Sequence, residues 1–169
     1  MFAFRPIAEA DIARLHVWRN TPHVSAWWDP QRPSLELCQR EYRAYMRSDY
    51  GVDAFIIVRD GTDIGYVQKW TVGAFPDYRP YVEVDDDEVG VDIFIGDLSL
   101  TGQGIGTAAL RAFIADVVFE DPAVPSAVID PLPENAAAIR SYEKVGFRHV
   151  ATFTHEGKGV HFMRLGRGR

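Results

Sequence analysis

Cysteine is almost missing from this sequence: Cys38 is the only one in 169 residues. A single thiol excludes an internal disulfide and any cysteine-based zinc cluster. Cys38 itself reads as a half-buried helix residue with no motif nearby to make it a nucleophile. Long apolar runs are missing as well, and no stretch could cross a membrane. The opening MFAFRPIAEADIARL puts an acidic, helix-like segment where a secretory signal would need an apolar one, so the expected location is the cytoplasm. Nor is there a surplus of positive charge. With 24 acidic and 18 basic residues the formal net charge is −6, which argues against a nucleic-acid or membrane partner and makes a polycationic amine the better electrostatic match.

Several catalytic signatures are absent too. Five histidines, His16, His23, His149, His155 and His161, show no HExxH or comparable spacing, so no metal is expected. His149 and His161 are instead placed to face one another across a terminal hairpin. There is no GxSxG elbow for a serine hydrolase, no GxxxxGK[ST] and no GxGxxG, which removes the nucleotide and dinucleotide loops as first readings.

What is present centres on GVDIFIGDLSLTGQGIG, Gly90 to Gly106. Val91, Ile93 and Ile95 alternate with Asp92 and Phe94, which places Asp92 inside a strand. Gly102, Gly104 and Gly106 then strip side chains from a loop, and Leu110, Phe113, Ile114 and Val117 repeat at helical spacing. Bare N–H groups at a helix start suit a phosphate; a tight strand-to-helix turn is the other reading of the same glycines.

The length and the 47% hydrophobic content suit one domain over residues 1–169. Ala3 to Ile7 reads as a strand and Ala8 to Asn20 as a helix with Ile12, Leu15, Val17 and Trp18 inward. Trp27 and Trp28 sit beside a proline-bounded loop, one facing solvent or a ligand, or one in the core and one partly covered. Ser34 caps a helix to about Met46. Ala54–Arg59 and Ile64–Trp70 flank the hairpin signal Asp60-Gly61-Thr62-Asp63. Gly73 to Asp87 is a long irregular excursion, and the acids from Glu83 to Glu88 form either a solvated face or an acidic wall. Ala127 to Asp130 is a short buried strand, Asn135 to Val145 a helix ended by Gly146, and Arg148–Phe153 with Val160–Leu165 a hairpin. Gly166 to Arg169 reads as a frayed basic tail.

Asn135 and Tyr142 lie seven residues apart, close to two helical turns, so both project from one stripe. Alone, that is a capping amide and a packed phenol. In the setting PENAAAIRSYEKVGF, after a strand and a glycine loop, the chain resembles the GCN5-related N-acetyltransferase (GNAT) superfamily. The resemblance implies a single α/β domain whose mixed, mostly antiparallel twisted sheet is flanked by helices, with splayed central strands binding acetyl-coenzyme A. It implies that Gln103, Gly104, Ile105 and Gly106 offer backbone donors to the pyrophosphate, that Asn135 contacts the cofactor arm, and that Tyr142 is the general acid toward the thiolate. Ile93, Phe94, Ile95, Thr101, Gly102, Thr107 and Ala138 complete the implied cofactor-binding set. Thr101 stands where the superfamily loop usually opens with Gln or Arg.

A resemblance covering Phe4 to about Met163, through HVSAWW, IGYVQ, GVDIFI, TGQGIGTAALRAFIADVVFEDP and IDPLPENAAAIRSYEKVGF, is to the aminoglycoside 6'-N-acetyltransferases. It implies Asp92 as general base, and Asp130, Glu156, Trp27 and Trp28 with Asp92 around the cationic acceptor. The stretch from Thr71 to Val89 matches poorly in sequence but is similarly acidic. A GNAT acyltransferase acting on a siderophore lysine side chain or a polyamine, and a non-catalytic sensor using the cofactor cleft, are the alternatives; both a monomer and a homodimer are open. The chemistry stands without the family: an ammonium must lose a proton before attacking a thioester, and a strand carboxylate can take it. A free carboxylate, with a pKa near 3.9, is a poor match to an amine, so positioning of the reactants would carry much of the rate.

Overall fold

The computed structural model describes residues 1–168; Arg169, the last residue of the expected tail, lies outside the described residues. Seven strands, β1 (Phe2–Pro6), β2 (Val52–Arg59), β3 (Thr62–Thr71), β4 (Val89–Ile95), β5 (Ser126–Ile129), β6 (Arg148–His155) and β7 (Lys158–Gly166), are hydrogen-bonded in the order β1-β2-β3-β4-β5-β7-β6. β4 and β5 are parallel, whereas β1–β2, β5–β7 and β6–β7 are antiparallel. The helices are α1 (Ile12–Asn20), α2 (Pro22–Ser25), α3 (Leu35–Met46), α4 (Ile105–Phe113) and α5 (Ala136–Val145). No described helix is long and apolar enough to cross a membrane.

The chain divides into two compact units, Met1–Gln68 with Ile93–Gly106, and Lys69–Asp92 with the residues from Thr107 onward. In the first, the Asp60-Gly61 turn has positive φ at both residues, the geometry that matches the twist of the flanking strands. Ser34 caps α3 as expected, its Oγ accepting from Leu37 N at 3.1 Å. Pro22 opens α2 after Thr21 leaves helical geometry. Two local expectations change. Cys38 is fully buried, packed with Leu15, Tyr42 and Ile56. Val17 is exposed, because the inner stripe of α1 runs Ile12, Leu15, Arg19 at i, i+3, i+7, and Val17 points the other way. Arg19 is tolerated there through ion pairs with Asp29 at 3.0 Å and Glu41 at 2.5 Å.

In the second unit, a π turn over Ile114–Val118 follows α4, and Val118 rather than Val117 reaches the core because the wider turn delays the inward phase by one residue. The excursion contains two short 3₁₀ turns, Val72–Ala74 and Pro76–Tyr78. Its acidic end is not uniformly solvated. Glu88 is only 3% exposed, accepting from Ser126 Oγ at 2.5 Å and pairing with Arg164 Nε at 2.5 Å. Gly166 closes β7, and Arg167 is tied down rather than frayed: its N–H donates to Pro125 O at 2.9 Å and its guanidinium to the carbonyls of Val124, Phe119 and Asp121. His149 and His161 do meet, their rings stacked with centroids 4.4 Å apart.

Candidate active site

Asp92 lies in β4 just where that strand loses its parallel neighbour. Among the described residues the β4–β5 ladder pairs Val89 with Ala127 and Gly90 with Val128. Extending the register by two brings Asp92 level with Asp130, one residue past the end of β5. In a parallel pair such residues share a face. The Asp92 carboxylate is half-buried, and its Oδ2 accepts a hydrogen bond from Trp70 Nε1 at 3.0 Å.

Asp130 is held from the excursion, where Tyr78 donates its phenolic proton to Oδ2. The Tyr78 ring is fixed edge-on to Phe153, His155 and Phe162, with centroids 5.4 to 5.9 Å away. Burial, and then the neighbouring charge of Asp92, push the Asp130 carboxyl up to about 7, against the stabilising Tyr78 bond. In an unfolded chain the same group titrates near 3.9. The folded state therefore holds this proton more tightly, a contribution to stability that is complete at about pH 3 and lost as pH rises through about 7. Asp130→Asn, which cannot ionise and can still accept from Tyr78, should thus melt above wild type at about pH 8 and alongside it at about pH 3 in thermal denaturation. A uniform shift at both pH values would refute this account.

Tyr142 stands on α5, two turns beyond Asn135. Burial, then Asp92 and Asp130, push its phenol well above the ordinary tyrosine range, so it keeps its proton throughout the neutral range. Asn135 is the N-cap of α5, its Oδ1 accepting from Ala138 N at 3.2 Å. Thr107 Oγ1 and Ser141 Oγ lie 2.7 Å apart. Glu156 sits exposed at the β6–β7 turn with positive φ. Asp92, Asp130 and Tyr142 thus come together electrostatically, with Trp70 and Tyr78 as neutral donors to the two acids. Such a cluster can attract a cation, accept a proton and give one.

The first compact unit carries the glycine loop and the tryptophan pair. Asp97 Oδ1 accepts from Ser99 N at 2.8 Å and Thr101 Oγ1 donates to Leu98 O at 2.8 Å, which rigidifies the loop entrance. The Gln103 amide turns back to Ser99 O at 2.5 Å. Gly102 and Gly104 have φ of +72° and +77°, and a Cβ on either would meet nothing within 4 Å. The backbone is therefore bare toward open space, up to the start of α4 with Ile105 buried and Gly106 beside Ile95. Ile95 O is engaged by His23 Nε2 at 3.0 Å, while Phe94 is buried and Ile93 half-buried. Trp28 packs edge-on against Phe94 and Tyr66, at 4.9 and 5.7 Å, and Trp27 is 47% exposed, so one of the pair is packed and the other largely free.

Trp70 and Tyr78 went unrecognised in the sequence as parts of a site. The aromatic end of IGYVQKW was a weak signal for the first. Nothing local marked Tyr78, whose partner is 52 residues away.

A family profile described as an acetyltransferase (GNAT) domain matches residues 8–155. The aminoglycoside N(6')-acetyltransferase type 1 of Klebsiella pneumoniae is 33% identical over 163 residues, 95% of this chain and 81% of its own. The crystal structure of the aminoglycoside acetyltransferase AAC(6')-Ib in complex with coenzyme A and kanamycin superposes with a TM-score of 0.89 at 32% identity, covering 99% of this chain and 95% of that one. A lysine N-acyltransferase of Mycolicibacterium paratuberculosis is 26% identical, over 88% of this chain and 66% of its own.

Proposed function

The chain belongs to the acetyltransferase (GNAT) family, and from that premise we propose that it transfers the acetyl group of acetyl-coenzyme A to the 6'-amine of an aminoglycoside, with residues 1–169 acting as one catalytic domain. The observation that carries this reading is the pair of mutually repelling carboxylates, Asp92 and Asp130, beside a phenol that keeps its proton. Such a site draws in ammonium groups and holds an acid in reserve. The similarity to an aminoglycoside N(6')-acetyltransferase along nearly the whole chain, and to a structure described with coenzyme A and kanamycin, supports the same acceptor.

Bound acetyl-coenzyme A would supply the thioester carbonyl carbon. The open, positive-φ backbone at Gly102 and Gly104 fits a bulky anion at the start of α4. We assign Thr101, Gly102, Gln103, Gly104, Ile105, Gly106 and Thr107 to the pyrophosphate, and Ile93, Phe94, Ile95, Asn135 and Ala138 to the pantetheine arm. Asp92 takes a proton from the acceptor ammonium, directly or through water, which frees the lone pair for direct attack in a ternary complex. As the C–N bond forms and the C–S bond breaks, a backbone N–H of the Ile93 to Ile95 strand steadies the oxyanion. Tyr142 gives its proton to the departing sulfur; the nitrogen, positively charged once the C–N bond has formed, sheds its second proton to solvent, from which Tyr142 recovers one, and Asp92 releases the proton it took. Asp130, Glu156, Trp27 and Trp28 orient the polycation.

A lysine side chain as acceptor is the second reading, favoured by the similarity to the lysine N-acyltransferase. Coenzyme A release measured with kanamycin, with its analogue bearing hydroxyl for the 6'-amine, and with lysine or spermidine separates the two. Turnover with kanamycin that vanishes with the hydroxyl analogue is expected. Turnover confined to lysine or spermidine would overturn the aminoglycoside assignment.

A further inference from the structure

Gly90 and Asp92 are two residues apart on β4 and therefore present the same face of the strand. Trp70, near the end of β3, lies over that face. A Cβ built on Gly90 would overlap Cε2, Cζ2 and Cδ2 of the indole, so only bare backbone admits the ring. From that seat the indole Nε1 reaches Asp92 Oδ2 at 3.0 Å. Phe75 packs edge-on with its centroid 5.3 Å from the Trp70 ring, and the indole packs against the cluster of Val72, Val128 and Phe162. A ring held by Gly90, Phe75 and that cluster presents its N–H in one direction, which is what orienting a short carboxylate requires.

We propose that Trp70 is a positioning residue for acetyl transfer: seated on the bare backbone of Gly90, its indole N–H holds the Asp92 carboxylate in the orientation from which it accepts the proton of the acceptor amine. This rests on the reading of Asp92 as the general base. The donor also offsets the crowding of negative charge around Asp92, which faces Asp130 from the end of β5, Tyr78 from the excursion and Tyr142 from α5. A neutral donor favours the ionised form of its carboxylate, so removing it raises the pH at which the base becomes available.

Trp70→Phe keeps a ring for the seat and removes the donor. It should lower kcat about tenfold, leave KM for acetyl-coenzyme A unchanged, and move the acidic limb of the pH profile upward by about one unit. Gly90→Ala keeps both partners but displaces the ring, and should reproduce the kcat and pH effects. In Asp92→Asn, adding Trp70→Phe should cost nothing further, since the residues act as one unit. A readout apart from turnover is the indole N–H resonance of Trp70 in ¹⁵N-labelled protein: it should titrate in the wild type and stay flat in Asp92→Asn. Wild-type kcat and pH profile in Trp70→Phe, with Asp92→Asn inactive, would overturn the positioning role and leave the base standing. Full activity in Asp92→Asn would overturn both.

Discussion

Asp92→Asn lowers kcat for an aminoglycoside acceptor by at least about a hundredfold, with KM for acetyl-coenzyme A unchanged. The substitution is nearly isosteric and its Oδ1 can still accept from Trp70 Nε1, so the seat on Gly90 and the local packing survive. What disappears is the proton acceptor. Steady-state rates across pH make the argument sharp, because the defect should shrink as pH rises and more of the amine arrives already deprotonated. The acceptor KM should move much less than kcat. With the charge of Asp92 gone, one of the two causes that raise Asp130 toward about 7 is removed, so Asp130 ionises more readily and the site keeps a carboxylate for the polycation. A variant with wild-type kcat at every pH would remove Asp92 from the chemistry. One whose defect is the same at all pH values would mean that the carboxylate orients the acceptor rather than deprotonating it.

Those parts of the site that depend on spacing along the chain were legible before any coordinates. The alternation around Asp92, the glycines before α4 and the seven-residue interval from Asn135 to Tyr142 are local patterns, and local geometry follows from them. The same holds for the Ser34 cap and the Asp60-Gly61 turn, where the residue type satisfies one backbone requirement. What stayed hidden is pairing across distance. Trp70 meets Asp92 22 residues later, and Tyr78 meets Asp130 52 residues later; no periodicity encodes either. The burial of Arg19 on the inner face of α1 and of Glu88 at the end of the acidic run was hidden for the same reason, since the charges that let them be buried lie elsewhere in the sequence. The π turn after α4 has no signature in composition, and it alone exchanges Val117 for Val118 in the core.

Glu88→Ala should destabilise the fold by about 3 kcal/mol, a fall in melting temperature of about 6 to 12 °C for a chain of this size. Glu88 is the one buried acid of the run from Glu83 to Glu88, and its carboxylate does three things. Oε1 takes the Ser126 hydroxyl and the Arg164 guanidinium, each at 2.5 Å, and Oε2 accepts from Asp85 N at 3.0 Å. Truncation leaves the buried Ser126 hydroxyl and the backbone N–H of Asp85 without this acceptor, and leaves Arg164 with an uncompensated charge. Arg164, at 29% exposed, can recover some hydration, which places the cost at the lower end of what breaking a buried pair exacts. Arg164 also donates to Glu83 O at 2.6 Å, so it grips both ends of the acidic run, and its release should loosen the excursion that delivers Tyr78 to Asp130. The double variant Glu88→Leu, Arg164→Met tests the electrostatic origin of the loss. Removing both partners takes away the desolvation penalty together with the attraction, so the pair should melt above Glu88→Ala. If the double variant melts lower than the single one, the stabilisation resides in the Arg164 guanidinium over the Phe162 ring rather than in the ion pair.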